Sequence, residues 1–163
     1  MGWNTARVTL LPPRWKETLT ESARARTAAG APVRIARPVR AEGTTGEAVL
    51  LAPLCCWLEE RGFVVSERSG SQVRLRRQDV EAFLAAEGEE VAEVLLTFTL
   101  TRDSPRHWDT WQKFVAELCG AWDLALFAPD HPGGKVGAGE LLRLLSEATA
   151  WRDFQAAFGW PTA

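Results

Sequence analysis

Apolar and polar positions alternate most clearly near the middle of the chain. Val94, Leu96, Phe98 and Leu100 are apolar, while Thr97, Thr99 and Thr101 are polar. That is the period-two pattern of a strand with one buried face. A helix is predicted next. Ser104 offers an N-cap, Pro105 suits the first helical position, and Asp103 places negative charge at the dipole's positive end. Trp108, Trp111, Val115, Leu118 and Cys119 then share one stripe, with Gly120 as the expected stop. Trp122, Leu124 and Leu126 read as a further strand. Strand, helix and strand at these lengths predict a βαβ unit with two parallel strands.

Upstream, Leu50, Leu54, Trp57 and Leu58 recur at helical spacing, and Gly62 stands where a C′ glycine belongs. Pro53 predicts a kink or a helix start at that point. Phe63–Glu67 and Val73–Arg76, joined through Ser69-Gly70, predict a β-hairpin whose wet face carries Arg74 and Arg76. Val80, Phe83 and Leu84 suggest a short helix over Gln78–Ala86. At the N-terminus, Pro12-Pro13 predicts a helix continuing over Arg14–Ala29, followed by a short edge strand at Val33–Ile35. Two C-terminal helices are predicted, one on Leu141, Leu144, Leu145 and Ala148 and one on Trp151, Phe154 and Phe158. The summed expectation is an α+β fold. It has a mixed sheet of four to five strands, containing a β-hairpin and a βαβ unit, with helices mainly on one face.

Composition changes that picture little. With 163 residues, 46% hydrophobic and 25% charged, the chain is expected to bury one core as a single domain, 1–163. Residues 1–45 read as a basic, less regular segment and residues 46–163 as the α+β body. No apolar run is long enough to span a membrane, and Met1–Leu11 does not form a secretory signal, so a cytoplasmic location is expected. Three cysteines, two of them adjacent at Cys55-Cys56, suit a reducing compartment. Charge is uneven. Arg7, Arg14, Lys16, Arg24, Arg26, Arg34, Arg37 and Arg40 face only Glu17 and Glu21 in the first forty residues, a net of +6. The rest must then carry −8 to reach the overall −2.

The candidate chemistry is sparse. His107 and His131 have no partner at metal spacing, so neither a metal nor a cofactor is expected. Cys55, Cys56 and Cys119 fall in apolar helical stripes and read as core filler. His131-Pro-Gly-Gly-Lys-Val-Gly-Ala-Gly-Glu140 leaves a strand and enters a helix, where anion loops sit. However, Val136 follows Lys135, and Leu142 stands where a dinucleotide fingerprint needs glycine. Glu87, Glu89, Glu90 and Glu93 form the densest carboxylate group and read as a solvated turn or an acidic docking patch. Eight tryptophans and no tyrosine make Trp160, near the terminus, the leading candidate for an exposed aromatic contact.

Trp108-x-x-Trp111-x-x-Phe114-Val115, followed by Trp122-Asp123-Leu124-Ala125-Leu126, resembles the small immunity proteins that neutralise bacterial polymorphic toxins. The resemblance is one of layout over the second half of the chain, and it carries no site residue across. It implies a compact, acidic α+β protein that occludes a basic toxin. The leading expectation is therefore a non-enzymatic protein-binding module, contacting a partner through Glu87, Glu89, Glu90, Glu93 and Trp160. One alternative is a small enzyme or ligand-binding domain with a cleft near Asp130, His131 and Lys135. The other is nucleic-acid binding through the basic N-terminal arm, which is not the expected partner class. No membrane partner is expected, and oligomeric state is left open.

Overall fold

The computed structural model describes residues 5–26, 32–40, 46–101, 103–127 and 135–136. Among these the fold is α+β, with two helices and an all-antiparallel sheet. Its strands are β1 (Thr5–Leu11), β4 (Val64–Ser69), β5 (Gln72–Arg77), β6 (Val80–Glu87), β7 (Glu90–Thr99) and β8 (Ala125–Phe127). Their order is β4-β5-β6-β7-β1-β8, and a two-residue β9 (Lys135–Val136) adds to the β8 edge. Separately, β2 (Trp15–Arg26) and β3 (Pro32–Arg40) pair as a two-stranded antiparallel ribbon. The helices are α1 (Leu51–Glu60) and α2 (Ser104–Trp122).

Several sequence expectations change here. The sheet is neither mixed nor limited to four or five strands. β7 and β8 do run in the same direction across α2, but β1 lies between them, antiparallel to both. No parallel hydrogen-bonded pair results. The expected helix over Gln78–Ala86 is strand β6, and the expected helix over Arg14–Ala29 is strand β2 as far as Arg26. The edge strand expected at Val33–Ile35 extends to the whole of β3. The two C-terminal helices and Trp160 lie outside the described residues.

Tight turns explain the meander from β4 to β7. Each of its hairpins closes in two residues, Gly70-Ser71, Gln78-Asp79 and Gly88-Glu89. The first residue of each loop has positive φ, at 56°, 51° and 64°. Such turns match the twist of antiparallel strands, and glycine supplies that φ without a Cβ clash. A register shift between Ala85 and Ala86 leaves Ala92 as an extra residue in β7. The bulge lets Val91, Ala92 and Val94 all be buried before the strict alternation resumes.

The inner sheet face follows directly from register. Val73, Leu84, Val94, Leu10 and Leu126 form one row, and Leu75, Ala82, Leu96 and Val8 form the next. Both helices cover this face. Leu54, Cys55 and Leu58 of α1, and Trp111, Phe114, Val115 and Leu118 of α2, join those rows in one core. Phe98 lies against Trp111 with ring centroids 4.8 Å apart, and Phe63 against Phe114 at 5.2 Å.

The helix ends differ by a residue or two from expectation. Pro53 falls in the first turn of α1, where its missing N–H costs nothing. Gly62 takes a left-handed φ of 90° just past the Arg61 cap, as expected. In α2, Asp103 rather than Ser104 is the N-cap residue, and its side chain makes no cap bond. Ser104 is buried instead, accepting a hydrogen bond from the Thr101 N–H at 2.6 Å. Gly120 does not close this helix. The left-handed stop falls on Asp123 (φ 54°), and the Leu124 N–H reaches the Cys119 carbonyl at 3.1 Å.

Gly120 is thus an exposed glycine inside a helix, and a Cβ there would meet nothing within 4 Å. Gly120→Ala should raise unfolding free energy by about 1 kcal/mol. In a urea titration it should shift the midpoint upward and leave the slope unchanged.

Candidate functional site: the open sheet face and the acidic hairpin end

With α1 and α2 on one side, the other face of the sheet carries the intervening residues of each strand. Register places Arg74, Phe83, Leu95, Thr9 and Phe127 in one row across β5, β6, β7, β1 and β8. A second row holds Arg76, Glu81, Thr97 and Arg7, and a third holds Gln72, Ala85 and Glu93. Phe83, Leu95, Thr97 and Phe127 are half-buried, whereas Arg7, Arg74 and Arg76 are exposed. A depression of about 420 Å³ lies there, lined by Thr5, Arg7, Arg74, Glu81, Phe83, Leu95 and Thr97.

Arg74 organises this face. Its guanidinium lies 4.9 Å from the Phe83 ring centroid. Its Nη1 donates to Glu81 Oε1 at 2.7 Å, and its Nε is 3.3 Å from Glu67 Oε2. Cation–π attraction and ion pairing together hold the guanidinium over an aromatic ring. Partly exposed, this arrangement adds little to stability, but it holds an apolar and polar mosaic in place on the sheet.

The acidic group divides. Glu87 and Glu89 are exposed at the β6–β7 turn, and Glu93 lies half-buried in the open face. Glu90 is different, with a side chain only 11% exposed. Its Oε2 accepts the Trp15 indole N–H at 3.0 Å, and its Oε1 accepts from Arg40 Nη2 at 2.8 Å. Arg14 Nε lies 3.6 Å from Oε2. The Arg40 guanidinium is 5.3 Å from the Trp15 ring centroid. Glu90 therefore fastens the two ends of the β2–β3 ribbon to the start of β7. Backbone bonds add to the junction, from Leu51 N–H to the Glu89 carbonyl at 2.9 Å and from Val91 N–H to the Val49 carbonyl at 2.7 Å. As a docking carboxylate Glu90 is already spent; Glu87 and Glu89 are the exposed members.

A second arginine cluster braces the helices. Arg61 lies 3.5 Å over the Trp57 ring and bonds Glu117 Oε1 through Nε at 2.9 Å. Arg77 sits between Phe63 and Phe114, at 4.7 and 5.0 Å, and donates to the Arg61 carbonyl at 2.8 Å. Burial pulls the Arg77 pKa below its usual value, and the charge of Glu117 opposes that. These contacts are structural.

A cavity of about 390 Å³ also opens at the end of α2, lined by Pro13, Glu47, Ala48, Val49, Gly120, Ala121, Trp122 and Asp123. Trp122 Nε1 is buried without a hydrogen-bond partner. An atom with no accessible surface does not face an open cavity, so that donor offers a ligand nothing there. Among the described residues no group of three or more His, Cys, Asp or Glu could hold a metal ion. His107 lies 6.3 Å from Trp111, ring stacked on ring. Of the expected cleft near Asp130, His131 and Lys135, only Lys135 falls within the described residues, as part of β9.

No protein-family model matches the chain, no characterised protein matches it in sequence, and no solved structure matches its fold. Among the described residues no helix is long and apolar enough to cross a membrane.

Two outcomes test this account. Glu90→Ala strands an indole donor and faces two guanidinium groups with no carboxylate, and should cost about 2 kcal/mol. Glu90→Gln keeps an acceptor for Trp15 and should cost roughly half as much. Chemical denaturation of both variants reads the difference. The cysteines give the second test. Burial pushes the Cys119 thiol up to about 11. Cys55 is also raised, chiefly by burial, with Arg68 opposing and Glu59 and Cys56 adding. A thiol reagent at pH 8 should therefore label exposed Cys56 promptly, and Cys55 and Cys119 only as fast as the fold opens. Because the unfolded thiols ionise first, stability should fall as pH rises from about 9 to about 11.

Proposed function

We propose that this chain is a non-enzymatic protein-binding module that occludes a partner protein, in the manner of the immunity proteins it resembles. The observation that carries the reading is the sheet face opposite α1 and α2. Among the described residues no helix covers this face, which presents Phe83, Leu95 and Phe127 among Arg7, Arg74 and Arg76. Aromatic residues and arginine are the types enriched where protein interfaces gain most of their energy. Rigid strands hold these groups in fixed register, so little conformational entropy is lost on docking.

Charge supplies the second element. Glu87 and Glu89 at the β6–β7 turn, and Glu47 and Asp123 beside the end of α2, are exposed. A partner with a basic surface is the complementary one. Such fields speed encounter more than they tighten the final complex. The partner is thus steered by the turn and gripped by the open face.

The test compares variants in one capture experiment at physiological salt. Wild type and the helix-face control Lys113→Glu should retain a stoichiometric protein partner, and Leu95→Arg should weaken it at least tenfold. Glu87→Lys with Glu89→Lys should mainly slow association at low salt. Equal retention by Leu95→Arg would remove the open face from the interface.

A further inference from the structure

Register fixes where the charges of the open sheet face stand. Arg74 is neutralised in place by Glu81 and Glu67. Arg76 and Glu93 are not, since neither makes an ion pair with a described residue. Arg76 is exposed and Glu93 half-buried. Their positions are symmetric about Phe83, which pairs with Arg74 on one side and with Leu95 on the other. Arg76 follows Arg74 by two residues along β5, and Glu93 precedes Leu95 by two along β7. They fall on opposite sides of the Phe83 row, Arg76 beside Glu81 and Glu93 beside Ala85. Strand geometry puts them about 16 Å apart, with Phe83 at the midpoint.

We propose that this face pairs with the same face of a second copy of the chain, about a two-fold axis that passes over Phe83. The axis lies between the two sheets, at right angles to the line from Arg76 to Glu93. Each Arg76 then meets the partner's Glu93, twice over, and Phe83 meets the partner's Phe83. An isologous contact requires such self-complementarity, and the half-buried Glu93 gains the counter-charge it lacks. Sheets packed face to face stand about 10 Å apart, a gap that an arginine and a glutamate side chain span together. The strands of the two copies cross at roughly 70°, near the orthogonal class of sheet packing. Arg7 lies close to the same axis at the rim, where it faces its copy and opposes association, though solvent and salt screen that repulsion. Five strands and three rows give a flat area of roughly 500 Å² per copy, smaller than stable complexes bury. The dimer is therefore reversible, with a dissociation constant in the micromolar range. This inference goes beyond the protein-binding reading, because it seats a copy of the chain on the face and is tested without any foreign partner.

Sedimentation equilibrium of the purified full chain at physiological salt tests it. Wild type and the helix variant Lys113→Glu should both show a monomer–dimer equilibrium. Arg76→Glu and Glu93→Arg should each weaken dimerisation at least tenfold, since each sets like charges opposite one another. Mixing these two variants in equal amounts should restore the dimer, because both contacts then join opposite charges. Circular dichroism establishes that each variant folds; should Glu93→Arg not fold, Arg76→Glu must weaken the dimer more than Arg76→Ala does. A monomer at every concentration up to the millimolar range would overturn the proposal. So would a dimer indifferent to the reversals, or a mixture no better than its components. None of these results bears on capture of a foreign partner, which the Leu95→Arg comparison reads separately.

Discussion

A single carboxylate joins the two-stranded ribbon to the main sheet across 50 and 75 residues of chain. Glu90 begins β7, accepts the Trp15 indole N–H and Arg40, and has Arg14 beside it. Trp15 is itself buried at this corner. Gly46 reinforces the same corner. Its backbone passes so near Pro13 that a Cβ would come within 2.9 Å of the proline Cβ. A charged group held this far from water is stabilising only while all its partners stay in place. The junction thus fixes where the ribbon starts, where α1 starts and how the β6–β7 turn is presented.

The one-sided sheet depends on that anchoring. The inner rows are aliphatic or aromatic and roofed by α1 and α2, while the outer rows together mix arginine, threonine, glutamate and a few large apolar side chains. Alternation along a strand makes this division unavoidable. What is specific to this chain is the content of the outer face, where Arg74 lies over the Phe83 ring and pairs with Glu81 and Glu67. The protein-binding reading rests on that content.

The strong elements were legible in the sequence because one periodicity dominated each. The β7 alternation, the α2 stripe, the α1 stripe ending at Gly62 and the β4–β5 hairpin could all be read. β6 could not, because Val80, Phe83 and Leu84 fit helical spacing as well as Val80, Ala82 and Leu84 fit a strand. The presence of β5 and β7 on either side decides between them, and that information is not local. β2 failed for the same reason, since its pairing with β3 outweighs the helix preference of its alanines, arginines and glutamates. The candidate site was partly legible. Glu87 and Glu89 are exposed as expected, yet the role of Glu90 depends on Trp15 and Arg40, fifty or more residues away. Phe83 was assigned to a core stripe, so the open face was missed.

The insertion of β1 between β7 and β8 sets the order in which the molecule can be assembled. Thr5 pairs with Thr99, and Thr9 pairs with both Leu95 and Phe127. A strand near the beginning of the chain must therefore wait for partners near its far end. During synthesis that delay is roughly 5 to 25 s. For that interval β1 is an unpaired strand carrying Val8, Leu10 and Leu11, which are buried in the finished protein. The β4–β7 meander, built from two-residue turns, can close early and wait as a four-stranded platform. Only the last step, seating β1 against β7 and then β8 against β1, completes the sheet. The vulnerable moment in this protein's life is its birth, when its first strand is made long before the strands that shield it.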